Sequence, residues 1–270
     1  MTRLTGTKIA GAALFMSVSA LAFADTAAGT AAFKRGDIAT AYREWKAAAD
    51  AGDANAEVNL GLLYAAGKGV DRDLAEAMRL YGLAADQGNA QGQYRLGQMY
   101  AQGWGVPQSF ADAMHWYQMA SAQGDNRADA NIGSMYEGGY GVDQDYKAAA
   151  YYYQLAASHG VVGAEYSLAQ LYQHGRGVKR DAAQAFSWYR AAAGQGYGPA
   201  QAELGEMYAK GEGVAADPEQ ALFWMKVATI SNEKIDARKR QIMASKLSAD
   251  AVSKTEQSAA NWKPVLTSSK

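Results

Sequence analysis

The chain of 270 residues contains no cysteine. This excludes disulfides, thiol catalysis, cysteine-ligated zinc and lipidation of an N-terminal cysteine. Proline is scarce, at 4, so helices meet few obligatory breaks. Three histidines leave little material for an imidazole metal site, and none falls in an H-E-x-x-H or comparable spacing. Neither sign of charge dominates: 26 Lys and Arg face 27 Asp and Glu, a net charge of −1. That balance lacks the electrostatic footprint of a general nucleic-acid binder. No elbow or local signature arranges Ser, His and Asp as a triad. The sequence therefore carries no catalytic motif, calls for no cofactor and offers no metal site.

Apolar residues are abundant, at 49%, enough for a sizeable core and too many for a disordered chain. Alanine is the commonest residue, 58 in all, and with so little proline it reads as helix. The 29 glycines need a positional explanation.

Residues 1–24 read as an address rather than structure. Arg3 and Lys8 precede an apolar stretch, Ile9–Leu21, and Ala22-Phe23-Ala24 fits an A-x-A cleavage signal before Asp25. Thirteen residues are too few to span a bilayer as a helix, and no other stretch is apolar enough to do so. The expectation is a secretory signal peptide, leaving 246 residues whose net charge moves from −1 to −3 with the loss of Arg3 and Lys8. The product would be periplasmic or secreted. A bacterial periplasm suits it, because a cysteine-free exported protein does not depend on oxidative folding.

A period of 36 runs through the remainder. The strings GKGV, GWGV, GYGV, GRGV and GEGV begin at Gly67, Gly103, Gly139, Gly175 and Gly211, each 36 residues after the last. Leu60, Leu96, Ile132, Leu168 and Leu204 keep the same step, as do Tyr64, Tyr100, Tyr136, Tyr172 and Tyr208. So do Ala77, Ala113, Ala149, Ala185 and Ala221, and Tyr81, Tyr117, Tyr153 and Tyr189, ending in Met225. A fixed period of this length marks a solenoid or similar array.

Each unit reads as two helices. Helix A places Ala56, Leu60, Leu63 and Tyr64 on one face and ends at the first glycine of G-x-G, a residue suited to the left-handed C′ position. Helix B opens at a cap-forming residue: Asp73, Ser109, Asp145, Asp181 or Asp217. Glu76, Gln184 and Gln220, three residues on, resemble the second half of a capping box. Helix B ends at Gly88, Gly124, Gly160 or Gly196, and Asn232 stands in that place after the fifth unit. The expected organisation is an incomplete capping unit over 25–53, five full units over 54–231, and a helical cap and tail over 232–270, with helices at Lys234–Lys246 and Ala249–Trp262.

The pattern A-x-x-x-L-G-x-x-Y-x-x-G-x-G-V, continued by D-x-x-x-A-x-x-W/Y-Y-x-x-A-A-x-x-G, resembles the Sel-one-like repeat (SLR) family, relatives of the tetratricopeptide repeats. The second unit carries it nearly intact, with Leu96-Gly97, Tyr100, Gly103, Gly105, Val106, Ala113, Trp116, Tyr117, Ala120 and Gly124. Gly92 in place of the opening alanine, Ala169 in place of the glycine after Leu168, and Met225 in place of the last tyrosine are its departures. The resemblance implies an all-α fold, a right-handed α/α superhelical solenoid of helix-turn-helix repeats whose A helices line the concave wall. It also implies a scaffold or adaptor, and for exported bacterial members a regulator or partner of envelope and signalling proteins. Some cysteine-rich secreted relatives are described as β-lactamase-like or penicillin-binding. Their units are stapled by the paired cysteines that this chain lacks.

Two sets of positions escape the period and mark candidate partner-binding residues. On helix A, Asn59, Arg95, Asn131, Ser167 and Glu203 share a face with Leu62, Gln98, Ser134, Gln170 and Glu206, and with Ala66, Gln102, Gly138, His174 and Lys210. Mostly amides and hydroxyls, they suit the backbone and polar side chains of an extended peptide. Inside G-x-G-V the variable residue is aromatic twice running, Trp104 and Tyr140, where an exposed turn is expected. Aromatic anchors of this kind are enriched at interface hot spots. Ser231-Asn232-Glu233-Lys234 matches S-x-x-K, but the S-D-N and K-T-G elements of serine β-lactamases are absent.

The reading is an exported interaction module, binding a protein or peptide of the cell envelope on its concave helix-A surface. The alternative is weak binding or hydrolysis of β-lactams or peptidoglycan fragments. No nucleic-acid partner and no membrane span after signal removal are expected, and the sequence sets no oligomeric state.

Overall fold

The structure, a computed structural model, describes residues 26–231 and 233–265. The export segment expected at 1–24, Asn232 and the end of the tail lie outside the described residues. The described residues contain helices and no strand. An entry pair, α1 (Thr26–Lys34) and α2 (Ile38–Asp50), precedes five matched pairs. The A helices are α3 (Ala54–Ala66), α5 (Ala90–Gln102), α7 (Asn126–Gly138), α9 (Val162–His174) and α11 (Gly198–Lys210). The B helices are α4 (Leu74–Asp86), α6 (Phe110–Ser121), α8 (Tyr146–Ser158), α10 (Ala182–Gly194) and α12 (Pro218–Ile230). Two further helices, α13 (Ala237–Ala244) and α14 (Ala249–Asn261), close the array.

Local chemistry sets the ends of each helix. The side chains of Asp73, Ser109, Asp145, Asp181 and Asp217 accept from backbone N–H groups of the first turn, satisfying donors that the helix cannot. The reciprocal half of the expected capping box is not made at Asp73. Glu76 turns instead to Arg79, and the Asp73 N–H donates to the Tyr64 carbonyl at 3.0 Å. That backbone bond recurs at Ser109, Asp145, Asp181 and Asp217, so the turn is built the same way five times. Each A helix ends on a left-handed glycine, with φ between 63° and 71°.

The core consists of the periodic rows. The Leu60 row is at most 4% exposed and the Tyr81 row at most 3%. Each such aliphatic side chain contributes about 2 kcal/mol by leaving water. The glycine that follows the Leu60 row in four of the five units has a steric cause. A Cβ at Gly97 would sit 2.7 Å from the Tyr117 ring, so the ring of helix B lies directly on the backbone of helix A. The second glycine of G-x-G serves the next level of order. At Gly105 a Cβ would come within 3.0 Å of the Leu74 carbonyl, in the first turn of the preceding B helix. One turn thus ends a helix and sets the approach of two neighbouring units.

Packing follows chain order: α3 meets α4, α4 meets α5, and so on to α12 against α14. Such a chain of nearest-neighbour contacts is the organisation of a solenoid. Successive A helices (α3 with α5, α7 with α9) also approach one another, and B helices do so less. At the entry end α1 joins α2 through Gly36 without a G-x-G-V turn, and Trp45 is buried across it, its Nε1–H donating to the Thr26 carbonyl. At the exit, α13 begins at Ala237 rather than Lys234, because Asp236 caps it by accepting from the Arg238 N–H. Trp262 packs edge-on against Trp224, and the Val265 N–H returns to the Gly194 carbonyl at 2.9 Å.

Candidate functional site

The two candidate sets meet in space. A hollow of about 180 Å³ lies between α3 and α5, with Leu62, Ala65, Leu74, Tyr81, Arg95, Gln98 and Met99 as walls and Trp104 at its rim. A second, of about 380 Å³, lies between α5 and α7 and includes Ala101, Gln102, Phe110, Tyr117, Asn131, Ser134 and Met135, with Tyr140 at the rim. Moving the walls of the first by 36 residues gives nearly all those of the second. The G-x-G-V turn therefore folds its variable residue over the gap between successive A helices. Groove and turn edge, separate candidates in the sequence, border the same two hollows. Trp104 and Tyr140 are 48% and 49% exposed, so they are neither core nor freely solvated. Tyr140 stacks on Phe110 with ring centroids 5.2 Å apart.

Each hollow is smaller than, or near the lower limit of, a drug-sized pocket, and suits one side chain at a time. Both exist because of a small residue. Ala65 and Ala101 leave space beside Tyr81 and Tyr117. One and two units further on, the same position holds Glu137 and Gln173, which accept from the Tyr153 hydroxyl at 2.7 Å and the Tyr189 hydroxyl at 2.6 Å. The open part of the groove thus lies over α3, α5 and α7.

Some of the groove residues are held by neighbouring side chains. Arg95 donates to Gln98 at 3.0 Å, and Gln98 to the Tyr94 hydroxyl at 3.0 Å. Gln170 donates to the Tyr166 hydroxyl at 3.1 Å, the same arrangement two units on without the arginine. Asn59, Asn131 and Glu203 are half-buried, and Ser134 and His174 are exposed. Glu206 is already matched, by Lys210 at 3.3 Å and by Lys239 of α13. At the fourth and fifth turns the aromatic is replaced by Arg176, over the Tyr146 ring, and by Glu212, paired with Arg180.

A second periodic feature is legible in the sequence only as unremarkable polar positions. Glu57, Gln93, Asp129, Glu165 and Gln201 keep the 36-residue step, and all are buried. Four of them accept from a side chain 30 residues on, at the end of helix B: Gln87 at 2.8 Å, Gln123 at 2.7 Å, Gln195 at 2.9 Å and Ser231 at 2.9 Å. Asp129 accepts from Ser121 instead, at 2.6 Å. Burial pushes the Glu57 and Asp129 carboxyls above their ordinary range and Glu165 up to about 6. Ser231, the serine of the S-x-x-K string, is therefore one rung of this ladder, its hydroxyl given to Gln201. His159 follows the last turn of α8, with its Nδ1 3.0 Å from the Leu155 carbonyl. Among the described residues no group of three His, Asp or Glu is placed to hold a metal ion, and no helix is long and apolar enough to cross a membrane.

An array of near-identical helix pairs, closed only by contacts between neighbours, defines a helical-repeat protein of the superhelical solenoid class. Its variable chemistry lies along the face of the A helices. The family model described as Sel1 repeat matches residues 54–89, 90–125, 127–161, 162–197 and 198–229. The chain belongs to the Sel1 repeat family. Proteins built from these repeats generally act as protein–protein interaction modules, and the fold is typically a non-enzymatic scaffold. Among solved structures, a Sel1 repeat protein from Oxalobacter formigenes is 30% identical, with a TM-score of 0.75, over 87% of this chain and 99% of that one. A protective antigen of uropathogenic Escherichia coli with an SLR fold is also 30% identical, with a TM-score of 0.75, over 85% of this chain. This chain covers 50% of the length of that antigen. None of the curated proteins compared with the chain matches it.

Proposed function

We propose that this protein is an exported interaction module that takes an extended segment of an envelope protein into the groove along α3, α5 and α7. The observation that carries the reading is the pair of hollows one unit apart, each with amide or hydroxyl groups on its wall and an aromatic ring at its rim. An extended chain offers side chains and backbone groups at regular intervals, which repeated pockets of one design can receive. The groove continues over Gln170, His174 and Glu203, with amides and charges in place of open hollows. Export is supported by the basic, apolar and A-x-A segments of residues 1–24. The description of the E. coli relative as a protective antigen accords with a place outside the cytoplasm.

The test is photo-crosslinking in the native cell from probes at Asn131 and at Trp104, read by mass spectrometry, with a probe at the outward-facing Gln154 of α8 as control. The same partner captured from Asn131 and Trp104, and not from Gln154, is the expected result. Capture from Gln154 alone would move the interface to the B helices and overturn the reading.

A further inference from the structure

The hollow between α3 and α5 contains two hydrogen-bond donors with no acceptor. The Tyr153 and Tyr189 hydroxyls donate to Glu137 and Gln173, but the Tyr81 hydroxyl, facing Ala65, meets no partner among the described residues. Burial pushes this hydroxyl up to about 12, with the nearby Arg95 charge acting in the opposite direction, so at neutral pH it keeps its proton. Arg95 gives one N–H to Gln98, yet its Nε–H is buried without an acceptor. No carboxylate among the described residues lies within ion-pair reach of it. Elsewhere on the helices, Arg79 is held by Glu76 and Arg127 by Asp125. A half-buried guanidinium without a counter-charge, beside a free hydroxyl, is complementary to a carboxylate, which accepts charge-assisted hydrogen bonds from both. Leu62, Leu74, Met99 and Trp104 surround these donors, so the carboxylate must be attached to an apolar body. The next hollow has Asn131 in place of Arg95, so of the two hollows only the first presents a charge.

We infer that the hollow between α3 and α5 is a recognition pocket for an acidic residue adjoining an apolar one, within an extended segment of the partner protein. The inference rests on the groove reading above. The segment is internal rather than a chain end, because the same face continues on both sides, over Asn59 of α3 and Asn131 of α7.

The experiment uses fluorescein-labelled nonapeptides, amidated at the C-terminus, with Leu-Glu or Leu-Gln at the centre of a Gly-Ser background, titrated with the full chain by fluorescence polarisation. The Leu-Glu peptide should bind at least about 10-fold more tightly, the ratio expected of a charge-assisted pair, with the difference shrinking as salt is raised. Arg95→Gln should erase the preference. Ala65→Gln should also erase it at unchanged Tm, because it supplies the Tyr81 hydroxyl with the acceptor that Tyr189 has in Gln173. Equal affinities for the two peptides would overturn the inference. So would a preference that survives Arg95→Gln, or tight binding only of a peptide ending in Leu with a free α-carboxylate. The variant Asn131→Arg, which blocks the groove one unit away, tests the underlying reading separately. If it weakens both peptides equally and wild type prefers neither, the groove stands and the acidic pocket falls. If wild type binds neither peptide, both fall.

Discussion

Between α3 and α7 the residue beside each B-helix tyrosine is alanine, Ala65 or Ala101. Between α7 and α11 it is Glu137 or Gln173, bonded to the tyrosine hydroxyl. In the fifth unit the tyrosine becomes Met225, which has no hydroxyl, and alanine returns at Ala209. In the later units the hydroxyl and its acceptor come and go together, as a satisfied pair in a core should. The first two units keep the hydroxyl without the acceptor and are hollow there. The same repeat thus supports a closed half, where the tyrosine hydroxyls are bonded within the fold, and an open half, where they are not.

Substitutions test this contrast, and the largest effect lies in the closed half. Tyr189→Ala removes a fully buried ring and strands Gln173, and should cost about 3–5 kcal/mol in urea unfolding. Gly97→Ala, in the open half, forces the Tyr117 ring away from the helix and should cost about 1–3 kcal/mol, because overpacking is felt whether or not a hollow lies nearby. Replacing only the hydroxyl separates the halves. Tyr189→Phe should cost about 1 kcal/mol, and Tyr81→Phe only a few tenths, since the first breaks a buried hydrogen bond and the second breaks none. Equal costs for the two would remove the distinction between closed and open units.

A final effect concerns pH. The carboxyl of Glu165 titrates near 6 in the folded chain and near its ordinary 4.5 when unfolded. Between those values the folded state holds the extra proton, so stability falls as pH rises through that window and stays lower above it. Glu165→Gln places at this rung the amide that Gln93 and Gln201 already supply. It should flatten the Tm profile between pH 4.5 and 6 and raise Tm at pH 7.5.

The architecture was legible because its constraints are steric and repeat in every unit. Glycine lies under the B-helix side chain in four of the five units, at Gly61, Gly97, Gly133 and Gly205, with Ala169 in the fourth, and a left-handed glycine ends every A helix; both rows keep the 36-residue step. The helix-A face of Arg95, Gln98, Asn131 and Ser134 was legible as the positions released from that constraint. Its union with Trp104 and Tyr140 was not, since it depends on where the turn folds in space. The decisive alanines, Ala65 and Ala101, look like ordinary core residues until their counterparts Glu137 and Gln173 are seen against a hydroxyl. The buried ladder from Glu57 to Gln201 was present as a 36-residue row, but an isolated Glu or Gln on a helix reads as solvated, and only packing shows that it is not.

The second glycine of each turn, pressed against the preceding B helix, has a consequence for how such a chain can change its length. Every joint between units is the same tight fit, so an insertion of a few residues within a unit would lift one joint out of contact, whereas a whole unit added or removed restores every joint. The groove is in that sense a ruler with one graduation per repeat. It can be lengthened or shortened only in whole steps, each bringing one complete pocket position and the freedom to leave it open or to fill it.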